Sequence, residues 1–157
     1  MSGTTRTLVG VIGAGSADPE LYELARALGA GLATAGLCVV NGGLGGVMEA
    51  SARGAAEAGG LTVGILPGPR ASDANRWIQV AVVTDMAHAR NVVIANTARV
   101  VVAVGGSHGT RSEVSIALKL GRPVISLRSF DFDPAIRVVM TADEAVDAVL
   151  AALGAEA

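Results

Sequence analysis

The sequence predicts a three-layer α/β/α fold, in which helices cover both faces of an open parallel sheet. Hydrophobic residues make up 51% of the 157 residues but aromatic residues only 3%, so the core has to be built from Val, Ile, Leu and Ala. Such residues are typical of strands buried on both faces. Strand-like and helix-like patterns also alternate with short connections, which favours right-handed crossovers and a parallel sheet. A chain of this length can bury one core, so we expect one domain over residues 1–157.

The predicted strands are short apolar runs, several of which end in glycine. They cover residues 8–12, 37–40, 61–65, 78–83, 100–104 and 123–127, with a last short strand near Val138 and Val139. The run at 100–104 is the most β-branched in the chain and predicts a central strand. Residues 67–76 contain two prolines and several polar residues, and they predict one long loop.

The predicted helices carry start and stop signals. Asp18 and Pro19 offer an N-cap and a first helical residue, leucines follow at helical spacing, and Gly36 ends this first helix. Further helices are predicted over residues 47–58 and 86–96, from just after Thr110 to Leu120, and over residues 142–153.

The charge balance argues against several classes of partner. A formal net charge of −2 gives no basic surface, so we expect neither nucleic acid nor a membrane as a partner. The lone Cys38 has no second cysteine with which to form a disulfide. Neither a signal-peptide pattern nor an apolar run of membrane length occurs, which predicts a cytoplasmic protein.

Glycine-rich loops follow four of the predicted strands, at residues 13–16, 41–46, 67–70 and 105–110. The carboxyl ends of parallel strands share one edge of the sheet, and ligands of open α/β sheets bind there. A helix that begins at this edge offers unpaired N–H groups, and glycine lets a phosphate approach the backbone closely. We therefore predict a site for a phosphate-bearing, nucleotide-like small molecule, formed by Gly13, Gly15, Ser16, Gly42, Gly43, Gly46, Gly105, Gly106, Ser107, His108, Gly109 and Thr110.

Two common cofactors do not fit this pattern. Gly13-x-Gly15 is followed by Asp18 where a dinucleotide motif has its third glycine, and the second strand ends in Asn41 instead of an acidic residue, so NAD is not expected. The only lysine, Lys119, lies near a helix C-terminus, where it complements the helix dipole. A pyridoxal phosphate enzyme needs a Schiff-base lysine, so PLP and lysine decarboxylation are not expected either. No metal site is predicted.

The first and second glycine patterns echo each other, since Gly42-Gly43-x-x-Gly46 recurs as Gly105-Gly106-x-x-Gly109. Two interpretations stay open. In the first, the two strand-to-helix turns acquired their glycines independently. In the second, they are two related half-sites that face each other across the point where the strand order reverses.

The same two blocks resemble the signatures of the LOG-like (SLOG) Rossmann superfamily. The matching residues are Asn41-Gly42-Gly43-x-x-Gly46-Val47-Met48 and Gly105-Gly106-x-x-Gly109-Thr110-x-x-Glu113, and the resemblance spans residues 9–127. The superfamily includes cytokinin-activating phosphoribohydrolases, often labelled lysine decarboxylases, and a molybdenum cofactor carrier protein. The resemblance implies a Rossmann-like fold, a homodimer or homotetramer, and a phosphorylated ligand on the second glycine block, with Met48 in the first as a further ligand contact.

In the phosphoribohydrolases an arginine early in a helix and the motif glutamate form the catalytic pair, which the resemblance places at Arg90 and Glu113. The sequence departs from that branch in four places. Val104 replaces the proline of the motif, Ser107 and His108 fill a slot of one residue, and Asn91 replaces a lysine. Glu49 stands where the first motif usually has another glycine. These departures favour the carrier-protein branch and its bacterial relatives.

The residues themselves leave other roles open for this pair. Thr110-x-x-Glu113 also fits a capping box, and Arg90 also fits a surface arginine paired with Asp85. Two functions follow. One is a carrier that holds a phosphorylated pterin or nucleotide, such as the molybdenum cofactor or an AMP-like molecule, without cleaving it. The other is a hydrolase that splits a nucleoside 5′-monophosphate into base and ribose 5-phosphate.

Overall fold

The strands form one seven-stranded sheet of order β4-β3-β2-β1-β5-β6-β7, in a computed structural model that describes residues 3 and 5–156. All neighbouring strands are parallel. The strands are β1 Leu8–Gly13, β2 Cys38–Asn41, β3 Thr62–Leu66, β4 Val80–Val83, β5 Val100–Val104, β6 Val124–Leu127 and β7 Ile136–Val139. The helices are α1 Pro19–Thr34, α2 Val47–Glu57, α3 Arg90–Thr97, α4 His108–Lys119 and α5 Ala142–Ala155.

The strand order reverses between β1 and β5. The chain builds outward from β1 through β2 and β3 to β4, then returns to place β5 on the other side of β1. In the register of these two strands Gly13 lies opposite Val104, so their carboxyl ends are level. Helices that follow strands on opposite sides of such a reversal diverge, which opens a crevice at the carboxyl edge.

Two apolar clusters form the core, one on each face of the sheet. The cluster beneath α1, α2 and α5 includes the fully buried Val9, Leu28 and Val102. The cluster beneath α3 and α4 includes Ile12, Ile94 and Val114. No aromatic residue belongs to the buried part of either cluster. The predicted three-layer α/β/α fold is confirmed.

Helices α1 and α2 touch backbone to backbone. A Cβ atom added at Gly29 would meet the carbonyl oxygen of Ser51, and one added at Gly54 would meet the carbonyl oxygen of Arg26. Both glycines are buried. Each helix therefore contributes one glycine that lets its partner's main chain approach.

The predicted helix over residues 86–96 is wrong at its start. A 3-10 turn, Ala87–Ala89, comes first and α3 begins at Arg90. Asp85 and Ala87 have positive φ values of 52° and 50°, and the Ala87 N–H donates to the Pro67 carbonyl at 3.0 Å. This turn fixes the chain before the helix begins.

The strand predicted from residue 78 begins at Val80, and the long loop at 67–76 contains a 3-10 turn at Ala71–Asp73.

Within the described residues, no helix combines the length and the apolar character needed to cross a membrane.

We expect Gly54→Ala to lower the free energy of unfolding by about 1–3 kcal/mol, because the new methyl group would push α2 away from the Arg26 carbonyl. Gly154→Ala is the matched control. Gly154 lies in α5 and a Cβ there would meet nothing within 4 Å, so this change should be neutral or stabilise by about 0.5–1 kcal/mol. Urea unfolding of both variants measures the difference. Similar effects of the two changes would show that the α1–α2 contact is not close.

Candidate functional site

The loop after β1 and the loop after β2 pack against each other at the carboxyl edge. We call residues 13–16 the β1 loop and residues 41–46 the first glycine loop. The N–H of Val47 donates to the Ala14 carbonyl at 3.0 Å, and a Cβ at Gly46 would overlap that same carbonyl. Gly15 and Ser16 are exposed, whereas Gly13, half-buried, lies below them. The two loops form one continuous wall of the crevice.

Two asparagines, one buried and one half-buried, set the shape of the first glycine loop. The Asn41 side chain is fully buried and accepts from the Gly43 N–H at 2.8 Å while it donates to the Met48 carbonyl at 2.8 Å. From the β3–β4 connection, Asn75 adds two bonds of 2.8 Å, from its N–H to the Gly43 carbonyl and from its side chain to the Leu44 carbonyl. The loop is therefore held from both sides, and Asn41 has little freedom to bind a ribose.

The second glycine loop, residues 105–110, turns sharply into α4. Gly105 and Gly106 have φ values of 55° and 131°, a conformation that favours glycine. Ser107 is the N-cap and forms a capping box with Thr110, whose side-chain oxygen accepts from the Ser107 N–H at 3.3 Å. Within the described chain no acceptor is found for the backbone N–H groups of His108 and Gly109. Both residues are exposed, so two free donors point out of a helix N-terminus.

This capping box corrects one interpretation of Glu113. The Thr110-x-x-Glu113 pattern predicted that Thr110 caps the helix, but α4 begins three residues earlier with Ser107 as its cap. Glu113 therefore lies in the second turn and caps nothing. At α5 the same sequence pattern does cap, since Thr141 accepts from the Glu144 N–H at 3.2 Å.

Arg90 is buried beneath the first glycine loop, with only 8% of its surface exposed. Its Nη1 donates to the carbonyl oxygens of Gly42 and Ile65, both at 2.6 Å. The Nε is buried without a hydrogen-bond partner among the described residues. The surface pairing with Asp85 is wrong, because the guanidinium points inward to the ends of β2 and β3.

Glu113 faces Arg90 across a small cavity. Burial raises the pKa of Glu113 to about 7, and the attraction of Arg90 opposes that rise. Burial lowers the pKa of Arg90, and Glu113 opposes this in turn. No ion pair is found for Arg90 within the described residues, so the pair interacts at a distance and neither charge is fully compensated.

The cavity between them has a volume of about 40 Å³ and is lined by Val11, Ile12, Gly13, Gly42, Met48, Arg90, Ile94 and Glu113. Five of the predicted site residues therefore meet here, from five different segments. The space holds a water molecule but not a sugar ring. Larger depressions of about 370 and 510 Å³ run along α1, and no glycine-loop residue lines them.

The other predicted site residues lie in the β1 loop and in the two glycine loops, and they differ in exposure. Gly15, Ser16, Gly106, Ser107, His108 and Gly109 are exposed, Gly105 and Gly46 are half-buried, and Gly43 and Thr110 are buried. Their roles in ligand binding stay predictions.

Sequence reasoning missed three contributors to this edge. Asn75 is a single amide in a loop, and Asn91, noted in the sequence only as a replacement for lysine, has a buried side-chain oxygen without a hydrogen-bond partner among the described residues. The third is the loop after β6, where the Ser129 hydroxyl donates to the Gly105 carbonyl. A predicted pairing of β5 with β6 could have placed Ser129 here, because parallel pairing makes the loop after β6 a neighbour of the second glycine loop.

Comparison with known proteins identifies the family of this chain. Residues 6–153 match the model of the SLOG cluster4 family. The chain belongs to this family. An uncharacterised protein of Archaeoglobus fulgidus is 48% identical over 140 residues, which cover 88% of this chain and 91% of that protein.

Two solved structures are closely similar to this chain. The molybdenum cofactor binding protein of Rippkaea orientalis is 31% identical with a TM-score of 0.91. The molybdenum cofactor carrier protein of Chlamydomonas reinhardtii is 32% identical with a TM-score of 0.89. Each comparison covers 96% of this chain and 99% of the other. The predicted resemblance to the SLOG superfamily and its carrier-protein branch is confirmed.

We expect Glu113→Gln to change how stability depends on pH. The pKa of about 7, against an ordinary 4.5, means that the folded protein keeps a proton that the unfolded chain has released. The stability that this proton contributes to the folded state is complete below about pH 4.5 and is lost as the pH rises to about 7. Its size is on the order of 3 kcal/mol. Because glutamine releases no proton, the variant should gain stability relative to the wild type over that interval.

Urea unfolding of both proteins at about pH 5 and about pH 8 measures this gain. Subtracting the free energy of unfolding of the wild type from that of the variant at each pH cancels the contributions of the other titrating groups. An unchanged difference between the two pH values would mean that Glu113 ionises in the folded protein without cost.

Proposed function

We propose that this protein binds a phosphorylated nucleotide-like or pterin small molecule on its glycine loops and carries it without cleaving it, as a carrier of the molybdenum cofactor type. The observation that carries the proposal is the start of α4. Two exposed N–H groups, those of His108 and Gly109, have no acceptor in the described chain and stand at the positive end of a helix dipole. Residues 105–110 contain no acidic side chain, so nothing in the loop itself repels a phosphate.

The uncompensated charge of Arg90 supports an anionic ligand. Arg90 is only 8% exposed, and a buried guanidinium costs free energy unless a negative group comes near it. The neighbouring Glu113 is itself only partly ionised near neutral pH, because burial raises its pKa to about 7. A phosphate at the crevice would add a favourable field at Arg90, even without direct contact.

The similar proteins support the choice of cargo. The two structures with TM-scores of 0.91 and 0.89 bind or carry the molybdenum cofactor. That cofactor combines a fused heterocycle with a phosphate, which matches a ligand class predicted from glycine loops alone.

We expect AMP, but not adenosine, to raise the melting temperature of the wild type. At a hundredfold excess over Kd the gain would be about 2.7 kcal/mol, or several degrees. Gly109→Asp should abolish the AMP shift, because its carboxylate would lie where the phosphate binds. A carboxylate in the first turn favours the helix dipole, so the unliganded variant should be at least as stable as the wild type.

Gly109→Ala is the matched control, because a Cβ there meets only the Ser107 Oγ, at 4.0 Å. It should keep the AMP shift. Gly106 is unsuitable for this test, since its φ of 131° and its closeness to Thr110 would strain any side chain. Equal shifts with AMP and adenosine, or a full AMP shift in Gly109→Asp, would rule out a phosphate site at α4.

A second candidate function is cleavage of the N-glycosidic bond of a nucleoside 5′-monophosphate. The observation in its favour is Glu113, whose pKa of about 7 suits a carboxyl group that exchanges protons near neutral pH. In that reaction Glu113 would assist attack by water or stabilise the oxocarbenium-like state, and Arg90 would orient the ligand. The cavity between the pair, about 40 Å³, is too small for a ribose and favours the carrier.

We expect the wild type to release no adenine from AMP above a protein-free blank, and Glu113→Gln to change AMP affinity only modestly. Chromatographic detection of free base at pH 7, together with calorimetric binding, measures both. A hydrolase would behave differently, since the amide keeps the shape of the carboxylate but lacks its charge. Robust adenine release that disappears in Glu113→Gln while AMP still binds would replace the carrier proposal by the hydrolase.

We also propose that the protein self-associates. Val80 and Val82 on the edge strand β4, with Met86 and Val92 nearby in sequence, are between 38% and 47% exposed. Such apolar surface usually marks an interface, and closed dimers are its commonest use. Light scattering at micromolar concentration should give a mass of at least twice the 15.6 kDa of one chain. Val82→Lys should shift the mass towards that of a monomer, and a monomer mass for the wild type would contradict the proposal.

A further inference from the structure

Both phenylalanines of this chain lie in one exposed loop beside the second glycine loop. The sequence holds two Phe, one Trp and one Tyr, and Phe130 and Phe132 both follow β6. Their ring centroids are 6.4 Å apart at an interplanar angle of 59°. Phe132 remains 39% exposed, although a ring of this size normally gains most by burial.

Contacts on two sides hold this loop against the start of α4. The Ser129 hydroxyl donates to the carbonyl of Gly105, the first residue of the second glycine loop. The guanidinium of Arg111, in the first turns of α4, lies over the Phe132 ring with its Cζ 4.8 Å from the centroid. Arg111 follows Gly109 by two residues, which is about 3 Å along the helix axis. The ring therefore lies at the same end of α4 as the free N–H groups of His108 and Gly109.

We propose that Phe132, together with Arg111, forms the surface on which the planar heterocycle of the ligand stacks while its phosphate binds at His108 and Gly109. This inference rests on the proposed function and adds the recognition of the heterocycle to it. Aromatic rings and guanidinium planes accept any flat π-system and leave its edges free. A pterin and a purine both satisfy that requirement.

The arrangement divides the ligand into two parts that can be tested separately. AMP carries phosphate, sugar and a flat base, whereas ribose 5-phosphate lacks the base. In isothermal titration of the wild type, AMP should bind more tightly than ribose 5-phosphate. Phe132→Ala should weaken AMP binding by about 5- to 150-fold, the range found when a stacking ring is removed, and should leave the affinity for ribose 5-phosphate unchanged.

Two further variants separate stacking from loss of apolar bulk. Phe132→Tyr keeps the π face and should keep the AMP affinity. Phe132→Leu keeps an apolar side chain and the packing of the loop, but it lacks a ring, so AMP affinity should fall towards that of Phe132→Ala.

The outcomes also distinguish this inference from the function on which it rests. If the wild type binds neither probe, the proposed phosphate site is wrong and the stacking surface falls with it. If both probes bind and Phe132→Ala weakens both equally or neither, the phosphate site stands and the stacking surface is wrong. A variant that changes the mass of the assembly in solution but not the AMP affinity would assign Phe132 to a protein interface and would also overturn the inference.

Discussion

The carboxyl edge of this sheet is organised around one buried cation. Arg90 comes from the first residue of α3, and its Nη1 bonds the carbonyl oxygens of Gly42 and Ile65 at 2.6 Å. Those carbonyls close the ends of β2 and β3, so a single side chain ties a helix on one face to two neighbouring strands. A Cβ at Gly42 would overlap the guanidinium and lie 2.6 Å from the Met48 sulfur. The glycine of the first motif is therefore required by the arginine beneath it.

The electrostatics of the site follow from this placement. Backbone carbonyls satisfy two hydrogen bonds of Arg90 but do not compensate its charge. The carboxyl group that attracts it, Glu113, is itself partly desolvated. Arg90 and Glu113 both line the cavity of about 40 Å³ at the base of the crevice. Whenever Glu113 is protonated, the charge of Arg90 is uncompensated and the local potential is positive. For that reason the affinity of the proposed anionic ligand would be linked to proton uptake by Glu113.

Much of the fold could be predicted because its signals are local. The β-branched run of β5 and the Asp18-Pro19 start of α1 each specify their element without help from distant residues. The glycine loops could be assigned to one edge because parallel strands must end together. The start of α4 was harder. Thr110 and Glu113 form the stronger capping pattern in sequence, yet the backbone of Gly106 turns the chain early enough for Ser107 to cap instead.

The environment of Arg90 could not be predicted from the residues around it in the sequence, because its hydrogen-bond acceptors lie at the ends of β2 and β3. Its exposure depends on where those strands end relative to α3, and that relation is set by the strand order. The same applies to Phe130 and Phe132, which stand near the second glycine loop only because β6 pairs with β5.

The glycine contact between α1 and α2 has a mechanical consequence. With main chain against main chain at Gly29 and Gly54, no flexible side chain lies between the helices at these points to absorb relative movement. Helix α1 follows the β1 loop and α2 follows the first glycine loop, so both loops are anchored to one stiff unit. The second glycine loop belongs to α4 on the opposite face. The two glycine loops that bound the crevice are thus carried by helices of different layers, and only the first is joined to the β1 loop through a direct main-chain contact between helices.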